Sequence, residues 1–184
     1  MRILICYAST EGQTRKICRF CAEQLIARGD SVEMLPVAEA GEIDLAPFDA
    51  AILAGSVHVG RLQRTLAEFA SAHAPALNGM PTLFLVVSLA IAGDDPADRA
   101  ELDRIASDFA GGAGWTPGQL AHVAGAFRFT EYDFFRSLAM RWIARSKRQK
   151  VDPHRDTEYT DWAALAALIK GWPAQVRADP VAPA

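Results

Sequence analysis

Residues 2–14, RILICYASTEGQT, decide the fold. Arg2 to Ala8 is a short apolar run rich in strand-forming residues, Ser9 to Glu11 is a polar turn, and from about Gly12 to Arg28 the apolar positions recur at helical spacing. A strand that passes through a short loop straight into a helix is the first half of a parallel α/β unit. The rest of the chain repeats the pattern. Gly29-Asp30 breaks the helix, Ser31 to Pro36 reads as a second strand, and Pro47 to Asp49 closes a loop before a third strand at Ala50 to Ala54. A helix over Arg61 to His73 follows, then Pro81 to Ser88, the most continuously apolar segment, as expected of a strand covered on both faces. Pro96 to Ala110 reads as helix, Ala121 to Phe127 as a fifth strand, and Thr160-Asp161 caps a last helix bearing Trp162, Leu165, Leu168 and Ile169.

Five strands alternating with helices predict a doubly wound parallel sheet, and 184 residues with 51% hydrophobic and 22% charged side chains suit one compact domain over residues 1–175. The proline-bearing end, 176–184, reads as a disordered tail. The apolar stretch Pro81 to Ala92 falls short of the roughly 20 residues that cross a bilayer, so neither a membrane-spanning helix nor a secretory signal is expected. Three cysteines are too few for a disulfide framework, which places the chain in a reducing cytosol. Cys18 and Cys21 form a C-x-x-C inside the first helix, on the side of Ile17 and Leu25, with no second pair to complete a zinc site. They read as small core residues, and no metal is expected.

A net charge of −3 gives no general field for gripping nucleic acid. The distribution is uneven, however. Between Glu131 and Arg155 stand seven basic and three acidic residues, against twelve basic and nineteen acidic in the rest of the chain. This segment belongs to an insert, residues 130–159, that is surplus to a five-stranded plan. At helical spacing Phe134, Phe135, Leu138, Ala139, Trp142 and Ile143 share one face, and Arg136, Arg141, Arg145, Lys147 and Arg148 occupy or flank the other. Such a helix suits peripheral contact with an anionic membrane surface, or else packs on the domain's own core with a solvated basic rim.

In doubly wound sheets ligands sit at the carboxyl ends of strands where the strand order reverses. After strand one, the hydroxyls of Ser9, Thr10 and Thr14, the glycine at Gly12 and the free amides of a helix N-terminus make a cradle for a phosphate monoester. The same residues also suit a plain helix cap with no ligand. The loop has neither the lysine of a G-x-x-x-x-G-K-S/T nor the G-x-G-x-x-G of a dinucleotide site. After strand three comes Gly55-Ser56-Val57-His58-Val59-Gly60, framed by glycines, and after strand four the mostly apolar Ser88-Leu89-Ala90. Ala54-Gly55-Ser56 at the end of strand three offers no phosphoacceptor aspartate, which argues against a signalling receiver domain. His73 and His122 have no recognisable partner in the pattern.

The STEGQT loop resembles the T/S-x-T-G-x-T of the flavodoxin family, with Glu11 in place of the usual threonine. That resemblance implies a five-stranded sheet in the order 2-1-3-4-5 and non-covalent FMN. Carried over by position, Ser9, Thr10, Glu11, Gly12, Gln13 and Thr14 would hold the phosphate, while Ala54, Gly55, Ser56, Val57 and His58 and then Ser88, Leu89 and Ala90 would flank the flavin. Unlike ordinary flavodoxins, neither ring-side loop carries a tryptophan or tyrosine. The segments LICYASTEGQTRKI, GSVHVGRLQRTLAEFASAHAPALNGMP and the insert running to EYTDW resemble the flavodoxin-like, quinone-dependent protoporphyrinogen IX dehydrogenases over residues 1–172. That subgroup implies oxidation of protoporphyrinogen IX in heme biosynthesis, a membrane quinone as acceptor, and a cytoplasmic protein at the inner face of the membrane. Arg128 and Arg136 are then candidates for the substrate's propionates, and no separate catalytic residue is assigned. The alternatives are a flavodoxin-type electron carrier or another flavin-dependent quinone oxidoreductase.

Overall fold

The computed structural model describes residues 1–93, 95–127 and 157–173. The amphipathic face and basic rim expected within 130–156, the tail at 176–184, and Arg128 and Arg136 lie outside the described residues. Among the described residues, β1 (Arg2–Ala8) leads through the first loop into α1 (Gln13–Ala27), and β2 (Ser31–Pro36), β3 (Ala50–Ser56), α2 (Arg64–Ala72) and α3 (Ala74–Asn78) follow. Then come β4 (Thr82–Ser88), α4 (Pro96–Ala113), β5 (Gln119–Ala124), the short β6 (Ala126–Phe127) and β7 (Thr157–Glu158), and α5 (Trp162–Gly171).

The five long strands are all parallel in the order β2-β1-β3-β4-β5. β1 is central, pairing Ile5 with Met34 on one side and Ile52 on the other. Successive side chains alternate between faces, which divides the core in two. Leu4, Cys6, Leu53, Phe84 and Val86 meet α2 and α4 on one face, and Ile3, Ile5, Ile52, Leu83 and Leu85 meet α1 and α5 on the other. β4 is buried along its whole length, as its unbroken apolar run requires. The chain leaves β1 for β2 in one direction and returns across it to β3, so the order reverses between β1 and β3. The first and second loops open at that switch point.

The third strand runs on to Ser56, the helix after it starts at Arg64 and the fifth strand starts at Gln119, and four further details depart from the sequence reading. The fifth strand ends at Ala124 rather than Phe127; Gly125 N–H makes a last bond to Ser88 O at 3.1 Å, and a Cβ there would come within 3.3 Å of Val87 Cγ1. Beyond it Ala126 and Phe127 leave the sheet and pair antiparallel with Glu158 and Thr157, forming the two-stranded base of the insert. The short helix α3 follows His73, with Pro75 in its first turn where a missing N–H costs nothing. α4 continues to Ala113 and stops at Gly114, whose φ of +67° ends the helix in the left-handed conformation. His122 does have a partner: its Nε2 lies 2.6 Å from Asp103 Oδ1 on α4.

Candidate functional site

The first loop delivers a helix start that nothing in the helix caps. Gly12 takes φ +87°, a conformation that costs other residues strain, and stands at the N-cap of α1 with no side chain to lend. Lys16 N–H donates to Gly12 O at 3.0 Å, so the amides of Gln13, Thr14 and Arg15 have no carbonyl to reach within the helix. The Gly12 amide is drawn back to Ser9 Oγ at 3.0 Å, which tightens the loop around that opening. Thr14 is 1% exposed, yet its hydroxyl has no protein partner among the described residues. A left-handed glycine, oriented amides and a spare buried hydroxyl are what a phosphate monoester requires.

Gln13 points the other way, under the helix. Its Nε2 donates to Thr160 Oγ1 at 3.0 Å, and Thr160 in turn donates to Ala124 O at 2.6 Å. Gln13 Oε1 is buried without a partner. Close by, Lys16 Nζ lies 2.5 Å from Glu158 Oε2 and 5.1 Å from the centre of the Trp162 ring, which packs on Phe20 at 4.9 Å. Trp162 Nε1 donates to Glu158 Oε1 at 2.7 Å. Partial burial pulls the Glu158 carboxyl up, but bonds from Lys16 and Trp162 outweigh it and hold the group below its ordinary value. The segment YTDW therefore staples the insert's closing end to α1. Tyr159 N–H reaches Gly125 O, Thr160 bridges Ala124 and Gln13, Asp161 caps α5 by accepting from Ala164 N–H at 2.9 Å, and Trp162 covers Lys16.

The second loop leaves β3 at Ser56. Val57 N–H donates to Val87 O at 2.8 Å, tying it to β4, and His58 and Arg61 exchange backbone bonds across a tight turn. That turn places Gly60 at φ +73° and also Val59 at φ +50°, a strained value for a β-branched residue. Val59 is 60% exposed at the tip. Behind the loop, Gly55 admits the start of α2: a Cβ there would meet Leu66 Cδ2 at 2.6 Å, Leu62 Cδ2 at 2.9 Å and Gln63 Oε1 at 3.2 Å. Gln63 Nε2 donates to Ser56 Oγ at 2.6 Å and reaches Thr10 Oγ1 in the first loop at 3.5 Å, while Ser56 Oγ is 2.9 Å from His58 Nε2. Burial holds His58 below the usual imidazole range. In the third loop Ser88 Oγ accepts from Ala90 N–H at 3.1 Å, opening a short 3-10 turn over Ala90–Ala92, with Leu89 and Ala90 half-buried.

The structure thus brings the three expected stretches to one sheet edge, with Ala8 beside Gly55 and Ser56 beside Val87. Ala54 stands apart from the others. It is fully buried in the core beneath α1, so only its backbone borders the loop. Gln63, Lys16, Glu158 and Thr160 were not among the residues singled out for the site, although EYTDW was noted as a segment. The thiols of Cys6 and Cys21 are pushed up to about 12 by burial and that of Cys18 well above its ordinary value, so all three are inert core groups. Among the described residues no group of His, Cys, Asp and Glu is placed to hold a metal, and no helix is long and apolar enough to cross a membrane.

Comparison with known proteins agrees with this geometry. Residues 4–154 match the family model described as a flavodoxin domain. Protoporphyrinogen IX dehydrogenase (quinone) of Escherichia coli is 27% identical over 170 residues, 92% of this chain and 93% of the relative. The protein of the same name from Leishmania major is 24% identical over 183 residues, 99% of this chain and 79% of the relative. Among solved structures, a flavodoxin variant from Fusobacterium nucleatum bound to flavin mononucleotide aligns with a TM-score of 0.51 at 13% identity, covering 96% of this chain and 95% of that one.

Proposed function

Because the chain belongs to the flavodoxin domain family, we propose that it is an FMN-dependent oxidoreductase that dehydrogenates protoporphyrinogen IX and passes the electrons to a membrane quinone. The observation that carries the substrate is the length of the likeness to the two dehydrogenases, which runs through the insert and not only the phosphate loop. The cofactor rests on the first loop, where the uncapped start of α1, left-handed Gly12 and the unpartnered Thr14 hydroxyl fit a phosphate monoester.

FMN, when bound, supplies a two-electron acceptor that can be reoxidised, and the protein contributes placement. The amides of Gln13, Thr14 and Arg15 and the Thr14 hydroxyl would hold the phosphate, with Ser9 to Glu11 closing the loop. Ser56, Val57 and His58, in the turn that His58 and Arg61 close, would flank the flavin. Ser88, Leu89 and Ala90 would flank the flavin from the third loop, where the Ser88 hydroxyl already accepts from the Ala90 amide. Overall the substrate loses six hydrogens in two-electron stages, and each stage converts one quinone to its quinol.

Peripheral association with the inner face of the membrane belongs to the same reading, supported by the seven cations between Glu131 and Arg155. Each cation near an anionic surface contributes on the order of 1 kcal/mol, enough together for reversible binding. Trp142→Glu combined with Arg145→Glu is expected to move the protein to the soluble fraction with its flavin retained; unchanged fractionation would refute the docking. The central test is anaerobic: FMN-loaded protein is mixed with protoporphyrinogen IX and a quinone, and porphyrin fluorescence is followed. A rise that requires both FMN and quinone is expected. A flat trace from protein with bound, reducible flavin overturns the dehydrogenase reading and leaves an electron carrier.

A further inference from the structure

The second loop carries a cation that the fold does not use. Among the described residues Arg2, Lys16, Arg19, Arg28, Arg64 and Arg104 are each in an ion pair with a carboxylate. The remaining described cations, Arg15, Arg61, Arg99 and Lys170, are exposed and pair with no described carboxylate. Lys170 lies in the last turn of α5, Arg15 belongs to the helix start already assigned to a phosphate, and Arg99 stands on α4 among Asp95, Asp98, Glu101 and Asp103. Arg61 differs from all three. No acidic residue occurs from Ala50 to Ala67, and the next one, Glu68, is held by Arg64 at 3.3 Å. Its backbone is nonetheless fixed, exchanging bonds of 2.8 and 3.1 Å with His58 across a two-residue turn in which Val59 at φ +50° and Gly60 at φ +73° both take the left-handed conformation. Residues directly opposite in an antiparallel pair send their side chains to one face, so Arg61 shares a face with His58, whose Nε2 is 2.9 Å from Ser56 Oγ at the end of β3. Beside it the strained Val59 holds an apolar side chain 60% exposed, and strain of this kind clusters at ligand sites.

We propose that Arg61 is a specificity-determining residue that receives one propionate of the porphyrinogen, with Val59 beside it against the apolar macrocycle. This deepens the dehydrogenase reading above and rests on it. The substrate is an amphiphile, an apolar macrocycle with two carboxylates, and an exposed valine next to a free guanidinium matches both parts of it. A guanidinium offers two parallel N–H groups to the two oxygens of a carboxylate. Because Arg61 has no described carboxylate to release, the new pair replaces none, whereas Arg64 would first have to leave Glu68. The turn is fixed before the substrate arrives, so only the side chain is ordered on binding. The propionates lie away from the bonds that dehydrogenation breaks. The contact is therefore the same in the ground state and the transition state, and its loss raises KM without lowering kcat.

The test compares protoporphyrin IX with its dimethyl ester, which keeps the macrocycle and removes both charges. Each is titrated into the FMN-loaded full chain, and binding is read from quenching of tryptophan fluorescence. Wild type is expected to bind the diacid more tightly than the ester. Arg61→Gln should weaken the diacid by about 5- to 20-fold, leave the ester unchanged, and keep FMN affinity and melting midpoint at their wild-type values. Arg64→Gln removes the same charge three residues away and should change neither affinity, which separates a contact from a general loss of positive field. In steady-state assays with protoporphyrinogen IX and a quinone, Arg61→Gln should raise KM by a similar factor with kcat kept. The diacid and ester comparison in wild type needs no variant, so it stands even if Arg61→Gln does not fold. Equal affinity of wild type for diacid and ester, an Arg61→Gln protein that still prefers the diacid as wild type does, or an equal loss in Arg64→Gln overturns the propionate contact and leaves the dehydrogenase reading in place. Wild type that holds reducible FMN but neither binds nor oxidises the porphyrinogen overturns both.

Discussion

Thr160→Val removes a single oxygen from the staple between the insert and α1. Thr160 is 9% exposed, and its hydroxyl both donates to Ala124 O at 2.6 Å and accepts from Gln13 Nε2 at 3.0 Å. Gln13 is itself 6% exposed, and its Oε1 already lacks a partner, so the variant leaves the buried carboxamide with Glu158 as its one remaining neighbour for a hydrogen bond among the described residues. Two lost bonds at about 1 kcal/mol each, plus up to about 2 kcal/mol for desolvation of the partly stranded amide, give a destabilisation of about 2–4 kcal/mol. For a chain of this size that lowers the melting midpoint by about 4–16 °C. Thermal and urea unfolding of the FMN-free protein measure it. The cycle is completed with Gln13→Leu, because removing both polar partners together costs less than the sum of the single changes. A midpoint within about 1 °C of wild type, or strict additivity in the double variant, would refute the reasoning.

Thr14→Val is expected to weaken FMN binding about 10- to 100-fold in a fluorescence titration, the worth of one hydrogen bond to a charged group. Glu158 is held below its ordinary value of 4.5 in the folded chain, so its stabilising contribution is complete above that value and disappears as the pH falls through the lower folded value. The gap in melting midpoint between wild type and Glu158→Gln should therefore be present at neutral pH and close in acid; a gap that widens in acid would contradict the pairing. Val59 at φ +50° carries strain that asparagine tolerates, so Val59→Asn should raise stability by about 1 kcal/mol in a thermal melt, and a clear loss would mean that Val59 makes a contact that offsets the strain.

The sheet was legible because its strands are local patterns. RILICYA and PTLFLVVS announce themselves, and the breaks at Gly29-Asp30 and Pro47 to Asp49 mark where the second and third strands begin. The three loops followed from the strands, since their place at the carboxyl edge is a property of the fold. What joins the loops was not legible. Gln13 and Thr160 are 147 residues apart, and His122 and Asp103 are 19 apart on different elements, so neither pair leaves a periodic trace. Gln63 read as one more polar residue at a helix start. Its turn toward Ser56 depends on the bare backbone at Gly55, a condition met only once α2 has packed against β3. The end of β5 was missed for a similar reason, because AHVAGAF is a plausible strand throughout and only the pairing of Ala126 and Phe127 with the distant Glu158 and Thr157 shows where it leaves the sheet.

The staple and the cofactor loop share one residue, and this makes their energetics reciprocal. Gln13 opens α1, and the amides beside it are those assigned to the phosphate. Releasing its side chain through Thr160→Val lets that first turn sample conformations in which the amides no longer converge, so FMN binding must restore the order and weakens by about fivefold. Linkage then requires that FMN at a given saturating concentration stabilise the variant by about 1 kcal/mol less than it stabilises wild type. Thr14→Val separates the two effects. Its hydroxyl bonds to no described protein group, so that variant should lose FMN affinity while the FMN-free protein melts near the wild-type midpoint, whereas Thr160→Val should lose both. If Thr160→Val instead binds FMN as wild type does while unfolding earlier, the insert's closing end supports the fold alone, and the phosphate site keeps its shape without it.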